Sequence, residues 1–122
     1  MLGRMDPASL AAERARVAGR VGSLRRELDS LAGEQALTTH DDEHDPEGVT
    51  IAVQRAQLQG LLAAAERECD DLDRAARRMA SGDYGTCTGC GGPIAPERLD
   101  ALPATTTCIA CATRRRGPRS RR

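Results

Sequence analysis

The chain contains no Phe, no Trp, no Lys and a single tyrosine, Tyr84. Without large aromatics, Ala, Leu and Val must build whatever core exists, and 122 residues of this composition do not make a large globular one. Chains this short of core material depend on a bound metal, a partner or close helix packing. No run approaches the ~20 apolar residues needed to span a bilayer, and the N-terminus lacks the apolar segment of a signal peptide. The expected location is therefore the cytoplasm, where thiols stay reduced and closely spaced cysteines favour a metal over a disulfide. Cationic charge is also in deficit over most of the chain. Residues 1–113 hold twelve arginines against eighteen acids, a net of −6, and the other six arginines lie in 114–122 without an acid. An acidic body thus ends in a basic tail.

What is present is strongly periodic. Leu10, Val17, Leu24 and Leu31 recur every seven residues, Val21 and Leu28 fill a second seam position, and Arg14 intrudes on it. This pattern predicts a helix from 7 to about 36, opened by an Asp6 cap and Pro7 in the first turn. Ile51, Leu58, Ala65, Leu72 and Met79 repeat the spacing, with Leu62, Cys69 and Ala76 as the companion row and Arg55 interrupting it. A second helix over 47 to about 80 follows, started by Asp45-Pro46 and stopped by Gly82. Neither helix can bury its stripe alone, and the short connection makes the two antiparallel. Pairing about a centre near residue 43 sets Leu24 by Leu62 and Val17 by Cys69. Helices of ~30 residues at 1.5 Å per residue give a rod about 45 Å long. The expected fold is mostly α: a long antiparallel coiled-coil hairpin over 1–81 with an acidic tip near 38–48, a four-cysteine finger over 82–113, and a short C-terminal helix or basic tail over 114–122.

The chemistry lies in Cys87-Thr-Gly-Cys90 and Cys108-Ile-Ala-Cys111, a C-x2-C-x17-C-x2-C pattern. Two intervening residues let both thiolates of a pair reach one ion, and the connector returns the second pair to complete a tetrahedron. Gly89, Gly91 and Gly92 offer the first turn backbone freedom. Four thiolates close the coordination shell, which points to one structural Zn²⁺ and away from a catalytic metal with an open position. A redox CxxC would sit near a βαβ pattern, and none is visible; an iron site of similar spacing would bring packed aromatics. Cys69 falls in the apolar seam and reads as a small buried hydrophobe.

His40 and His44 sit in the turn beside Asp41, Asp42, Glu43, Asp45 and Glu47. The histidines read as solvated loop side chains. The acids make a high local field suited to a bound cation or a basic channel wall. The terminal arginine run is weak evidence for phosphate contact, and no helix stands out as a reader of base edges, so sequence-specific DNA binding is not expected.

The segment Gly82-Asp-Tyr-Gly-Thr-Cys87-Thr-Gly-Cys90-Gly-Gly-Pro-Ile94, followed by Arg98-Leu99-Asp-Ala-Leu-Pro103 and Cys108-Ile-Ala-Cys111, resembles the C4 zinc finger of the DksA/TraR family. The helical hairpin before it resembles that family's architecture. The resemblance implies a non-enzymatic transcription regulator that binds RNA polymerase, inserts its hairpin into the secondary channel and brings acidic tip residues, here Asp42 and Asp45, towards the active site. It departs at the tip, where Glu47 replaces the alanine of the family's D-x-x-D-x-A. Relatives respond to ppGpp at the polymerase interface, and no residue here is matched to that ligand. The chain is expected to be a monomer. Three other readings follow from the same residues: a transcript-cleavage factor whose tip acids help hold a Mg²⁺, a zinc-ribbon nucleic-acid binder acting through the tail, and a coiled-coil adaptor.

Overall fold

The computed structural model describes residues 5–38 and 46–116. The acids Asp41, Asp42, Glu43 and Asp45, with His40, His44 and residues 117–122, lie outside the described residues. The order of elements is α1 (Pro7–Thr38), α2 (Pro46–Ser81), α3 (Pro96–Ala101) and α4 (Ile109–Arg116). The two long helices pack antiparallel, as the matched seams require.

Both long helices start or stop by the devices written in the sequence. Asp6 Oδ1 accepts the Ser9 N–H at 2.8 Å, and the Asp6 carbonyl accepts from Leu10 at 2.9 Å. A carboxylate thus satisfies an amide that the first turn leaves without a helical partner. That hydrogen bond holds the Asp6 carboxyl below its ordinary value. At the far end of α2, Gly82 takes φ +87°. Its N–H donates to the Met79 carbonyl at 3.3 Å, and the Asp83 N–H donates to Arg78 at 2.8 Å. These paired bonds cap two free carbonyls in the left-handed turn that glycine adopts most readily.

The chain divides into two compact units, residues 15–69 and residues 1–14 with 70–122. In the first, Val21, Leu24 and Ala65 form a buried cluster with Leu58, Leu62 and Cys69 packed against it. This is the register that sets Leu24 by Leu62, and Cys69 fills the seam as a small apolar side chain. Arg25–Glu66 at 2.7 Å and Arg20–Glu68 at 3.8 Å bridge the helices beside the seam. All four side chains are more than two-fifths exposed, so each pair contributes about 0–1 kcal/mol, while burying a leucine side chain contributes about 1.5–3 kcal/mol. Apolar burial, not ion pairing, holds the helices together.

In the second unit Leu72 and Ala75 are buried, and Ala76 is half-buried like Leu62 and Cys69 of the same companion row. Ala75 faces the connector and lines a cavity with Thr105, Thr106 and Thr107. The C-terminal arginines also divide: α4 continues through Arg116, so the first three belong to a helix.

Candidate metal centre

The finger is built on a few backbone and side-chain anchors. Arg78, in the last turn of α2, donates through Nη2 to the carbonyls of Asp83 at 3.1 Å and Thr86 at 2.8 Å. This fixes the direction in which the chain leaves the helix. Thr86 and Pro93 then pair as an isolated antiparallel bridge, and the Ile94 N–H donates to the Gly85 carbonyl at 2.8 Å. Ile94 is buried against Cys87 and Cys111, with Leu99 and Cys108 packed beside them. The Tyr84 hydroxyl donates to the Pro103 carbonyl at 2.8 Å. Arg98 Nε donates to the Thr107 carbonyl at 2.9 Å, just before the second cysteine pair. Tyr84, Ile94, Arg98, Leu99 and Pro103, which the sequence marks as a motif, therefore hold the connector in place.

The connector contains a short helix that no periodicity announced. Pro96 opens α3 with the fixed φ of a first-turn residue, and the Ala95 carbonyl accepts the first bonds from Arg98 and Leu99. At six residues it is too short to show a stripe.

All four expected sulfurs converge: those of Cys87, Cys90, Cys108 and Cys111 lie within 4.8 Å of one another. Cys90 Sγ and Cys108 Sγ, from opposite pairs, are 3.9 Å apart. A tetrahedral ion with Zn–S bonds of about 2.3 Å sets its ligand sulfurs about 3.8 Å apart, so the donor set fits such an ion in both spacing and chemistry.

The sulfurs sit in a frame of donors. Cys87 Sγ accepts from the N–H groups of Gly89 at 3.2 Å and Cys108 at 3.3 Å, and Cys90 Sγ accepts from Gly92 at 3.4 Å. The Cys108 amide, with those of Cys90 and Gly89, pulls the Cys87 thiol down to about 6. The Cys111 amide lowers the Cys108 thiol as well. Cys111 goes the other way, pushed up to about 11 by its hydrogen bonding to Cys87 and by burial. Cys87 and Cys108 are thus the thiols poised to ionise and ligate, because only the thiolate binds a metal.

The first-turn glycines act for different reasons. Gly91 takes φ +77° and donates to the Cys87 carbonyl at 2.9 Å. Gly89 has an ordinary φ, but a Cβ there would stand 3.0 Å from Cys111 Sγ. Space for the sulfur, not backbone freedom, requires glycine at 89. One contributor escaped the sequence reading: Arg114 Nη2 donates to Cys111 Sγ at 3.2 Å. Its place at the head of an arginine run gave no signal of an inward role. Elsewhere, an open groove of about 650 Å³ lies between α1 and α2, lined by Ser23, Glu27, Leu31, Gln57 and Leu61 among others, and it gathers no set of reactive groups. No helix among the described residues is long and apolar enough to cross a membrane.

Comparison with known proteins converges on one group. The prokaryotic dksA/traR C4-type zinc finger model matches residues 82–116. The chain is 29% identical over 114 residues to the RNA polymerase-binding transcription factor DksA of Escherichia coli K12, covering 89% of this chain and 72% of the relative. It is 30% identical over 95 residues to DksA of Salmonella typhimurium LT2, covering 74% of this chain and 60% of that protein. The solved structure of transcription factor DksA2 from Pseudomonas aeruginosa aligns with a TM-score of 0.75 at 27% identity, covering 90% of this chain and 79% of the other.

Proposed function

Because the chain belongs to the DksA/TraR C4 zinc finger family, we propose that it is a transcription regulator that binds RNA polymerase and acts through the secondary channel. The observation that carries this reading is the combination of the four-sulfur cluster with an antiparallel helix pair, in a chain nine-tenths of which aligns with DksA2. A pair of long antiparallel helices joined by an acidic segment suits insertion into a channel. It is poorly suited to enclosing a small substrate, which calls for a concave apolar pocket with convergent polar groups.

In this reading Cys87, Cys90, Cys108 and Cys111 hold one Zn²⁺, which supplies a closed structural crosslink and no open position for chemistry. Ion binding of this type can supply about 10–16 kcal/mol of apparent folding energy, which the small finger core of Ile94 and Leu99 needs. The backbone amides of residues 89, 92 and 108 hold the ligating sulfurs, and Tyr84 and Arg98 hold the connector. The protein itself is not an enzyme and works in the cytoplasm as a monomer. Asp42 and Asp45, which lie in sequence between α1 and α2, are the acids assigned to the polymerase active-site region.

The test is binding to purified core polymerase followed by transcription in vitro, with and without ppGpp. The expected outcome is saturable binding that another secondary-channel factor competes away. An Asp42→Asn/Asp45→Asn variant is expected to bind and fail to regulate. Absence of binding, or binding indifferent to that competitor, would overturn the reading.

A further inference from the structure

The four sulfurs are served unequally. Backbone amides donate to Cys87 Sγ and Cys90 Sγ, from Gly89, Cys108 and Gly92. Cys111 Sγ receives its donor from a side chain, Arg114 Nη2 at 3.2 Å. The two residues are three apart on α4, the spacing that places side chains on one helix face. Cys111 is buried at 6% exposure while Arg114 is exposed, so the guanidinium covers the sulfur from the solvent side.

We propose that Arg114 is a positioning residue for the metal centre: its guanidinium holds the Cys111 thiolate in its ligating place and offsets charge on the cluster. The inference rests on the metal reading above. A dication bound by four thiolates carries a net charge of −2, and donors and cations beside the ligand sulfurs stabilise that charge. For Cys87 and Cys90 the chain turns supply those donors. Cys111 lies within the first turn of α4, and a side chain one turn on supplies its donor instead. Arginine suits the task because it stays protonated at every accessible pH and presents several N–H groups in a planar fork. The arginine run therefore divides by role at its first residue. Arg114 and Arg115 both line an open cavity beside Cys111, with Thr88 and Thr107, but Arg115 makes no hydrogen bond to a cluster sulfur, so it is the matched control.

The test uses the full chain loaded with one Zn²⁺ and measures competition by a chromophoric chelator. Arg114→Ala is expected to weaken retention about 10–100-fold, the range for losing an outer-sphere partner of a ligand. Arg114→Lys, which keeps a charge and a donor, restores a substantial part, and Arg115→Ala matches the parent. Thiolate-to-metal charge-transfer bands of the Co²⁺ form report whether Arg114→Ala keeps all four sulfur ligands. If it does not assemble that spectrum, recovery of retention in Arg114→Lys supports the proposal and failure to recover overturns it. Parent-like retention in Arg114→Ala, or an equal loss in Arg115→Ala, also overturns it. A parent chain that takes up no Zn²⁺ or Co²⁺ overturns the metal reading itself, an outcome distinct from these.

Discussion

Arg14 on α1 and Asp73 on α2 meet through two hydrogen bonds to one carboxylate oxygen, from Nε at 3.1 Å and Nη2 at 2.8 Å. The arginine that interrupts the first heptad seam thus has an acid opposite it. Both side chains remain more than two-fifths exposed, so the guanidinium keeps its hydration while bridging the helices. A double-mutant cycle with Arg14→Ala and Asp73→Ala is expected to give a coupling of about 0.2–1 kcal/mol that shrinks as salt rises. Chemical denaturation at low and high salt measures it, and a coupling insensitive to salt would contradict the exposed character of the pair.

Gly89 and Gly82 separate a steric role from a conformational one. At Gly89 a methyl group would press on Cys111 Sγ at 3.0 Å and on Cys111 Cβ at 3.3 Å. Gly89→Ala is expected to weaken metal retention. At Gly82 a methyl group would meet nothing within 4 Å, and the cost is the left-handed backbone at φ +87°. Gly82→Ala is expected to lower unfolding stability by about 1 kcal/mol while leaving retention unchanged. Chelator competition and denaturation on the same two variants distinguish the roles.

Tyr84 should titrate late. Burial first, and then the nearby Asp100 charge, push its phenol above the ordinary value of 10.0. The fold favours the neutral phenol, so this contribution is complete below pH 10 and is lost as pH rises past the unfolded value towards the raised folded one. Because Tyr84 is the single tyrosine and there is no tryptophan, phenolate absorbance reads this group alone. Tyr84→Phe is expected to cost about 1 kcal/mol at neutral pH through loss of the bond to Pro103, and to flatten the alkaline decline.

Asp6 gives the opposite pH signature. Its carboxyl is lowered, chiefly by the Ser9 N–H, so its contribution is present above the unfolded value of 3.8 and is lost as pH falls through the lower folded value. Asp6→Ala is expected to unfold at a lower temperature than the parent at neutral pH, with the gap closing in acid. Melts followed by helical circular dichroism at neutral and acidic pH check this. An unchanged gap would show that the charge on Asp6 contributes nothing to the cap.

Much of the architecture was legible because its causes are local. The seven-residue spacing of Leu10, Val17, Leu24 and Leu31 determined one buried stripe, and all four are buried. Asp6-Pro7 and Gly82 marked ends that the structure caps with the expected bonds. The cysteine spacing was equally plain, because two intervening residues restrict a pair to few turn geometries. Ala75 lies off both heptad rows and is buried because the connector at Thr105, Thr106 and Thr107 covers it, which no local window displays. The α3 helix escaped because six residues are too few for a period.

The four cysteines were thus assigned to one site by the sequence alone, since spacing and composition left them little else to do. What surrounds them was decided by the tertiary structure. Gly89 is glycine because a sulfur from a residue 22 positions later stands where its Cβ would press. Tyr84 reaches the Pro103 carbonyl because Arg78 and the Thr86–Pro93 bridge aim the chain that carries it. Each is a contact between residues whose own neighbours in sequence say nothing about it. Chain-local forces select helices, caps and turns, whereas the choice of which side chain faces a sulfur is made only when those elements pack.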